Sequence, residues 1–236
     1  MSHPERIVPD ETEPGIVALH LKRYAFARPF CADREVLDAG CGVGYGSAYL
    51  AQTARRVVAV DVDPDAIEYA RRRYDAANVE FVHADVVAMP FADDTFDVAC
   101  SFETIEHVRD PEALVAQLRR VVREGGVCVL STPRVDRTTT SSANPFHTVE
   151  LSPADLERLL RRRFGSVELY GQRRLQTRRH RTMQRLDALG LRRRLGFLRP
   201  ASRLLGTAPM AEVELDEIEI APGALDDASE VVAVCR

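Results

Sequence analysis

The stretch VLDAGCGVGYG at residues 36–46 sets glycines 40, 42, 44 and 46 directly after a short run of strand-forming residues. Glycine there permits a tight turn and lets the backbone come close to a ligand, because no Cβ stands in the way. A second such run, RVVAVDVD at residues 56–63, carries Asp61 about 20 residues after the first glycine. Strand, glycine turn, helix, strand and terminal acid in this order constrain the chain to a βαβ unit. Its ligand lies at the strand ends, where the acid can accept hydrogen bonds from two ribose hydroxyls.

The alternation continues. Short β-branched runs at Glu35 to Ala39, Arg56 to Val60, Val79 to His83, Phe96 to Ser101 and Gly126 to Ser131 are separated by helical patterns. Asp63-Pro64, Asp110-Pro111 and Ser152-Pro153 each place a capping side chain before a proline in the first turn, so helices start there. They are expected to run to about Ala76, Arg123 and Arg163, and another follows the glycines from about Gly44 to Thr53. Further strands are expected at Ser166 to Tyr170 and Glu230 to Cys235, and an N-terminal helix at Gly15 to Phe30. The domain reading is a cap segment at 1–34, a core at 35–170, an insertion at 171–229 and a last core strand at 230–236.

Composition narrows the class. The 236 residues allow one large domain with an elaboration, and 45% apolar against 29% charged residues is ordinary for a globular chain. No apolar run is long enough to span a bilayer and the N-terminus is polar and Pro-rich, so a cytoplasmic protein is expected. Five cysteines, odd in number and never spaced CxxC, read as reduced thiols mostly buried in strands. Charge is uneven: residues 173–203 hold 11 arginines and one acid, and residues 212–230 hold eight acids and no base. Mutual pairing of the two stretches is the plain explanation.

A glycine turn alone fits NAD as well as S-adenosylmethionine. Asp38, two residues before Gly40, favours the second, since it puts negative charge near a cationic methionine group where a pyrophosphate would be repelled. Asp85 follows the third strand in HAD and can accept from an adenine amino group, with the backbone of Val86 against the ring. This combination resembles the class I S-adenosylmethionine-dependent methyltransferases from about Glu35 to Pro133. The resemblance implies an α/β, doubly wound, Rossmann-like sheet of seven strands, the last antiparallel, with a helical insertion before it. The cofactor residues carried over are Tyr24, Asp38, Gly40, Gly42, Asp61, Val62, Asp85, Val86 and Phe102. The competing reading makes Asp61, Asp63 and Asp85 helix caps and loop acids only.

After the fourth strand comes SFETIEHVRDP. In a helical turn Glu103 and Glu106 would share a face, with His107 close behind. Two carboxylates and an imidazole suit Mg2+ or Mn2+ better than zinc. With His147 of NPFH, the set Glu103, Glu106, His107 and His147 resembles the metal site of small-RNA 3′-end 2′-O-methyltransferases. The first three also match the ExxEH of ubiquinone-pathway O-methyltransferases, and the segment is similar to sugar methyltransferases that carry the NPFH loop. In those families the metal binds vicinal oxygens of the acceptor. Without a metal, His147 or His107 could be the general base, and an EH pair also occurs in methyltransferases that use no metal.

The expectation is therefore an O-methyltransferase acting on a hydroxyl of a sugar or polyhydroxylated metabolite, with S-adenosylmethionine and Mg2+ (or Mn2+). The alternatives are a metal-free N- or C-methyltransferase of a small metabolite, or a protein acting on an RNA ribose end through Arg178, Arg179 and Arg181. The insertion reads as a substrate lid, and few aromatics with an acidic body speak against nucleic acid as partner. The sequence leaves a homodimer open.

Overall fold

The computed structural model describes residues 6–175 and 213–236. Most of the expected insertion, with its arginine-rich stretch, lies outside the described residues. Eight strands form one sheet: β1 (Glu35–Ala39), β2 (Arg56–Asp61), β3 (Val79–His83), β4 (Phe96–Phe102), β5 (Val122–Pro133), β6 (Val167–Arg174), β7 (Ile218–Pro222) and β8 (Glu230–Cys235). Their order is β3-β2-β1-β4-β5-β8-β6-β7. β1 to β5 pair in parallel, and β8 runs antiparallel between β5 and β6. The strand order reverses between β1 and β4, which opens a crevice at their carboxyl ends.

The sheet has one strand more than the seven expected. β7 lies within the acid-rich segment assigned to the insertion and pairs antiparallel with β6, which continues to Arg174 past its expected end at Tyr170. Arg173 and Glu219 meet across that pair at 2.7 Å, one instance of basic stretch meeting acidic stretch.

Among the described residues five α-helices cover the faces: α1 (Pro14–Cys31), α2 (Tyr45–Ala51), α3 (Pro64–Arg73), α4 (Pro111–Val121) and α5 (Pro153–Leu160). The capping expectations hold: Asp63, Asp110 and Ser152 each accept a backbone N–H of the first turn. Alternate strand residues point to opposite faces. Leu37 and Val58 pack with Leu114, Leu118 and Leu156 of α4 and α5, while Val36 and Val57 pack with Ala27, Cys31 and Leu50 of α1 and α2. All five cysteines are buried and free. Among the described residues no helix is long and apolar enough to cross a membrane.

Candidate active site

A cleft of about 1310 Å3 opens at the carboxyl ends of β1 and β4. Its floor is the glycine turn. Gly40 has φ +84°, and a Cβ there would lie 2.3 Å from Thr104 Oγ1, so both backbone and space demand glycine. Gly42 has φ +54° with nothing among the described residues within 4 Å of its would-be Cβ, so ligand can approach its backbone. The Gly42 N–H donates to Asp61 Oδ2 (2.8 Å) and the Asp63 N–H to Asp61 Oδ1 (2.9 Å). Asp61 thus ties the turn to the end of β2, and each oxygen keeps a lone pair for a ligand hydroxyl.

Val62 and Val86 line the same cleft. Val62 is 64% exposed and offers an apolar surface beside Asp61. Asp85, also on the wall, accepts from the Val87 N–H at 3.0 Å through Oδ1, the loop-acid role; Oδ2 has no partner among the described residues.

Asp38 is fully buried behind the turn and forms no part of the cleft wall. It accepts from Ser47 Oγ at 2.6 Å and Tyr24 OH at 3.4 Å, and burial pushes its carboxyl up to about 7. Tyr24 reaches the cleft yet packs as core. Its ring meets Phe102 edge-on at 4.8 Å and fills the space over Gly46, where a Cβ would stand 1.9 Å from it. Phe102, the last residue of β4, lines the cleft too.

Of the four expected metal ligands the structure brings three together. Donor atoms of Glu106, His107 and His147 lie within 4.8 Å of one another. Glu103 does not join them, and this corrects the helical-spacing argument. The chain bends at Glu103, which has φ +50°, before a turn at residues 105–107, and Glu103 Oε1 accepts from Ser131 Oγ at 2.7 Å. Glu106 is 1% exposed: Oε2 accepts from Thr132 Oγ1, whereas Oε1 is buried and has no hydrogen-bond partner among the described residues. Burial, and next the charge of Glu103, push its carboxyl well above the usual range, so a cation at Oε1 is what would keep it ionised.

The imidazoles are oriented from behind. His107 Nδ1 lies 3.1 Å from the Phe146 carbonyl, and His147 Nδ1 lies 2.7 Å from Glu150 Oε1. Asn144 Nδ2 meets His147 Nε2 at 3.0 Å, with Asn144 Oδ1 committed to the Phe146 N–H. Glu150 also accepts from Ser142, and these two hydrogen bonds hold its carboxyl below the usual value. A histidine backed by a carboxylate suits both metal ligation and proton uptake.

Sequence reasoning passed over Asn144 and Glu150, although Glu150 stands three residues after His147. It also passed over Arg6, which reaches across the cleft to pair with Asp63. His20 of α1 lines the cleft, and burial together with the charge of Arg23 lowers it to about 3, so it stands there neutral.

Residues 37–130, the glycine turn and strand ends just described, match the family model "Methyltransferase domain". Over these residues the chain is similar to S-adenosylmethionine-dependent methyltransferases. A "Probable S-adenosylmethionine-dependent methyltransferase" of Mycobacterium tuberculosis is 40% identical to it over 162 residues, 66% of this chain and 58% of that one. Another of the same description, from Mycolicibacterium smegmatis, is 42% identical over 135 residues, 55% of this chain and 51% of that one. The chain spans about half the length of these curated relatives. The fold of the methyltransferase domain recurs in a solved SAM-dependent methyltransferase of Thermotoga maritima, with TM-score 0.64, 16% identity and coverage of 96% of this chain and 94% of that one.

Proposed function

We propose that the protein transfers the methyl group of S-adenosylmethionine to a hydroxyl of a sugar or other polyhydroxylated small molecule, with Mg2+ or Mn2+ held by Glu106, His107 and His147. The observation that carries this reading is the convergence of those three donors on one side of the cofactor cleft. The buried, unpartnered Glu106 Oε1 fits a cation. The cofactor supplies a methyl group activated by a positive sulfur, which leaves as neutral thioether with the bonding pair. The metal would lower the pKa of a coordinated hydroxyl, making its oxygen a nucleophile at neutral pH.

The chain's own part is placement. Asp61 and the open backbone at Gly42 fix the nucleoside half, Val62 and Val86 flank its base, and Asp85 takes the exocyclic amine. The donor triad then aims the acceptor oxygen at the methyl carbon, and such orientation accounts for much of the barrier reduction in bimolecular transfer.

The pairing of His147 with Glu150 favours a second reading. Here His147 takes the hydroxyl proton on Nε2, Asn144 giving way, and Glu150 stabilises the imidazolium at Nδ1. Both readings are tested with methyl-tritiated cofactor and a panel of polyols and amines, with and without chelator. The metal reading predicts label on oxygen, lost with chelator and restored by Mg2+. Label on oxygen indifferent to chelator supports the dyad, and label on nitrogen or carbon overturns the proposal.

A further inference from the structure

Among the described residues, six carboxyl side chains but only two arginines line the cleft. Arg6 is paired with Asp63. Arg109, exposed and two residues beyond His107, has neither hydrogen bond nor ion pair among the described residues. Other arginines of this part of the fold are engaged: Arg120 near the far end of α4 is held by Asp93, Arg162 by Glu112 and Arg134 by Asp136. Asp110, the acid adjacent to Arg109, is turned to α4, where its Oδ1 accepts the Ala113 N–H at 3.0 Å.

Arg109 is also held in place by its backbone. Thr148 Oγ1 donates to the Val108 carbonyl at 2.6 Å and the Thr148 N–H to the Glu106 carbonyl at 2.7 Å, while Asp110 caps the start of α4. The chain is anchored on both sides of Arg109, so little main-chain freedom is lost when its guanidinium takes a ligand. Depth separates it from the donor triad: Glu106 is 1% exposed, whereas Arg109 stands at the cleft mouth. An acceptor whose hydroxyl reaches the triad has its other end at the mouth. In a cleft rich in carboxylates, a cation with no partner is where a negative group is favoured. A guanidinium fork matches phosphate and carboxylate alike with two parallel hydrogen bonds.

Resting on the hydroxyl-methylation reading, we propose that Arg109 is a specificity-determining residue that binds an anionic group, a phosphate ester or a carboxylate, on the same acceptor whose hydroxyl meets Glu106, His107 and His147. The substrate is then a sugar phosphate or an acidic sugar, not a neutral polyol.

The test is calorimetric titration of protein saturated with S-adenosylhomocysteine, using hexose 6-phosphates, hexuronic acids and their neutral parent hexoses, each with Mg2+ and with chelator. Wild type should bind a phosphate or a uronate roughly 10-fold more tightly than its neutral parent, the low end for charge-assisted hydrogen bonds because Arg109 is exposed, and added salt should shrink the preference. Arg109→Met should bring the preference to within about twofold of unity with Tm unchanged, and Arg109→Lys should recover part of it. Arg137→Met, at an exposed position off the cleft wall, should leave it intact. The class of anion with the larger preference tells phosphate from carboxylate. Preference kept in Arg109→Met overturns the proposal, and its loss to chelator in that variant would assign the anion to the metal. No anion bound better than its neutral parent overturns it as well. Methyl-tritiated cofactor reads the underlying reaction separately: an Arg109-dependent preference with label on nitrogen or carbon sinks hydroxyl methylation and leaves the anion site standing.

Discussion

Replacing Asp61 with asparagine separates a ligand-binding acid from one that only shapes the turn. The two carboxylate oxygens face backbone donors on different sides, Oδ2 the Gly42 N–H at 2.8 Å and Oδ1 the Asp63 N–H at 2.9 Å. Whichever way the new amide turns, its NH2 group confronts an N–H, leaving one part-buried donor unpaired at a cost of about 1–3 kcal/mol. In a domain of this size that lowers Tm by roughly 2–12 °C. The same NH2 cannot accept a ribose hydroxyl, so one charged-acceptor bond worth about 1.5–3 kcal/mol is lost as well. Affinity for S-adenosylhomocysteine should therefore fall by roughly 10- to 150-fold. Calorimetric titration and thermal unfolding of Asp61→Asn read the two effects separately. A lowered Tm with affinity unchanged within twofold would refute the ribose role and leave Asp61 a turn former.

Further outcomes follow from the same structure. Asp38 in the folded protein titrates at about 7 against 3.8 for the ordinary group, so the folded state holds a proton that the unfolded chain releases. Stability should fall as pH rises from about 4 to about 7. Asp38→Asn should flatten that slope and gain up to about 4 kcal/mol at pH 8, measured by denaturant unfolding; an unchanged slope contradicts the assignment. Gly46→Ala drives a methyl into the Tyr24 ring and should cost about 1–3 kcal/mol, seen as a lower Tm. Glu150→Gln should slow methyl transfer by roughly 10- to 100-fold, as loss of a group orienting a site histidine does, with cofactor affinity unchanged in titration.

The parallel core was legible because its signals are local. Asp-Pro and Ser-Pro caps mark helix starts within four residues, and strand ends put Asp61 and Asp85 at one edge regardless of packing detail. Other features depend on contacts across the fold. β7 reads as IEIAP inside an acid-rich run and becomes a strand only because β6 offers it an edge. Glu103 escaped its expected place because a left-handed residue after β4 breaks the helical spacing, and nothing in ExxEH announces that φ. The convergence of His147 with Glu106 and His107 was anticipated by residue type, while its setting by Asn144 and Glu150 required the loop's path.

Glu106, His107 and His147 are proposed to form a metal site beside a bound cofactor. Electron spin resonance of Mn2+ titrated into protein saturated with S-adenosylhomocysteine tests it without knowledge of the acceptor, on wild type, Glu103→Gln and Glu106→Ala. One Mn2+ site is expected in wild type, abolished in Glu106→Ala and retained in Glu103→Gln. Equal Mn2+ binding in wild type and Glu106→Ala, or none in either, would contradict it.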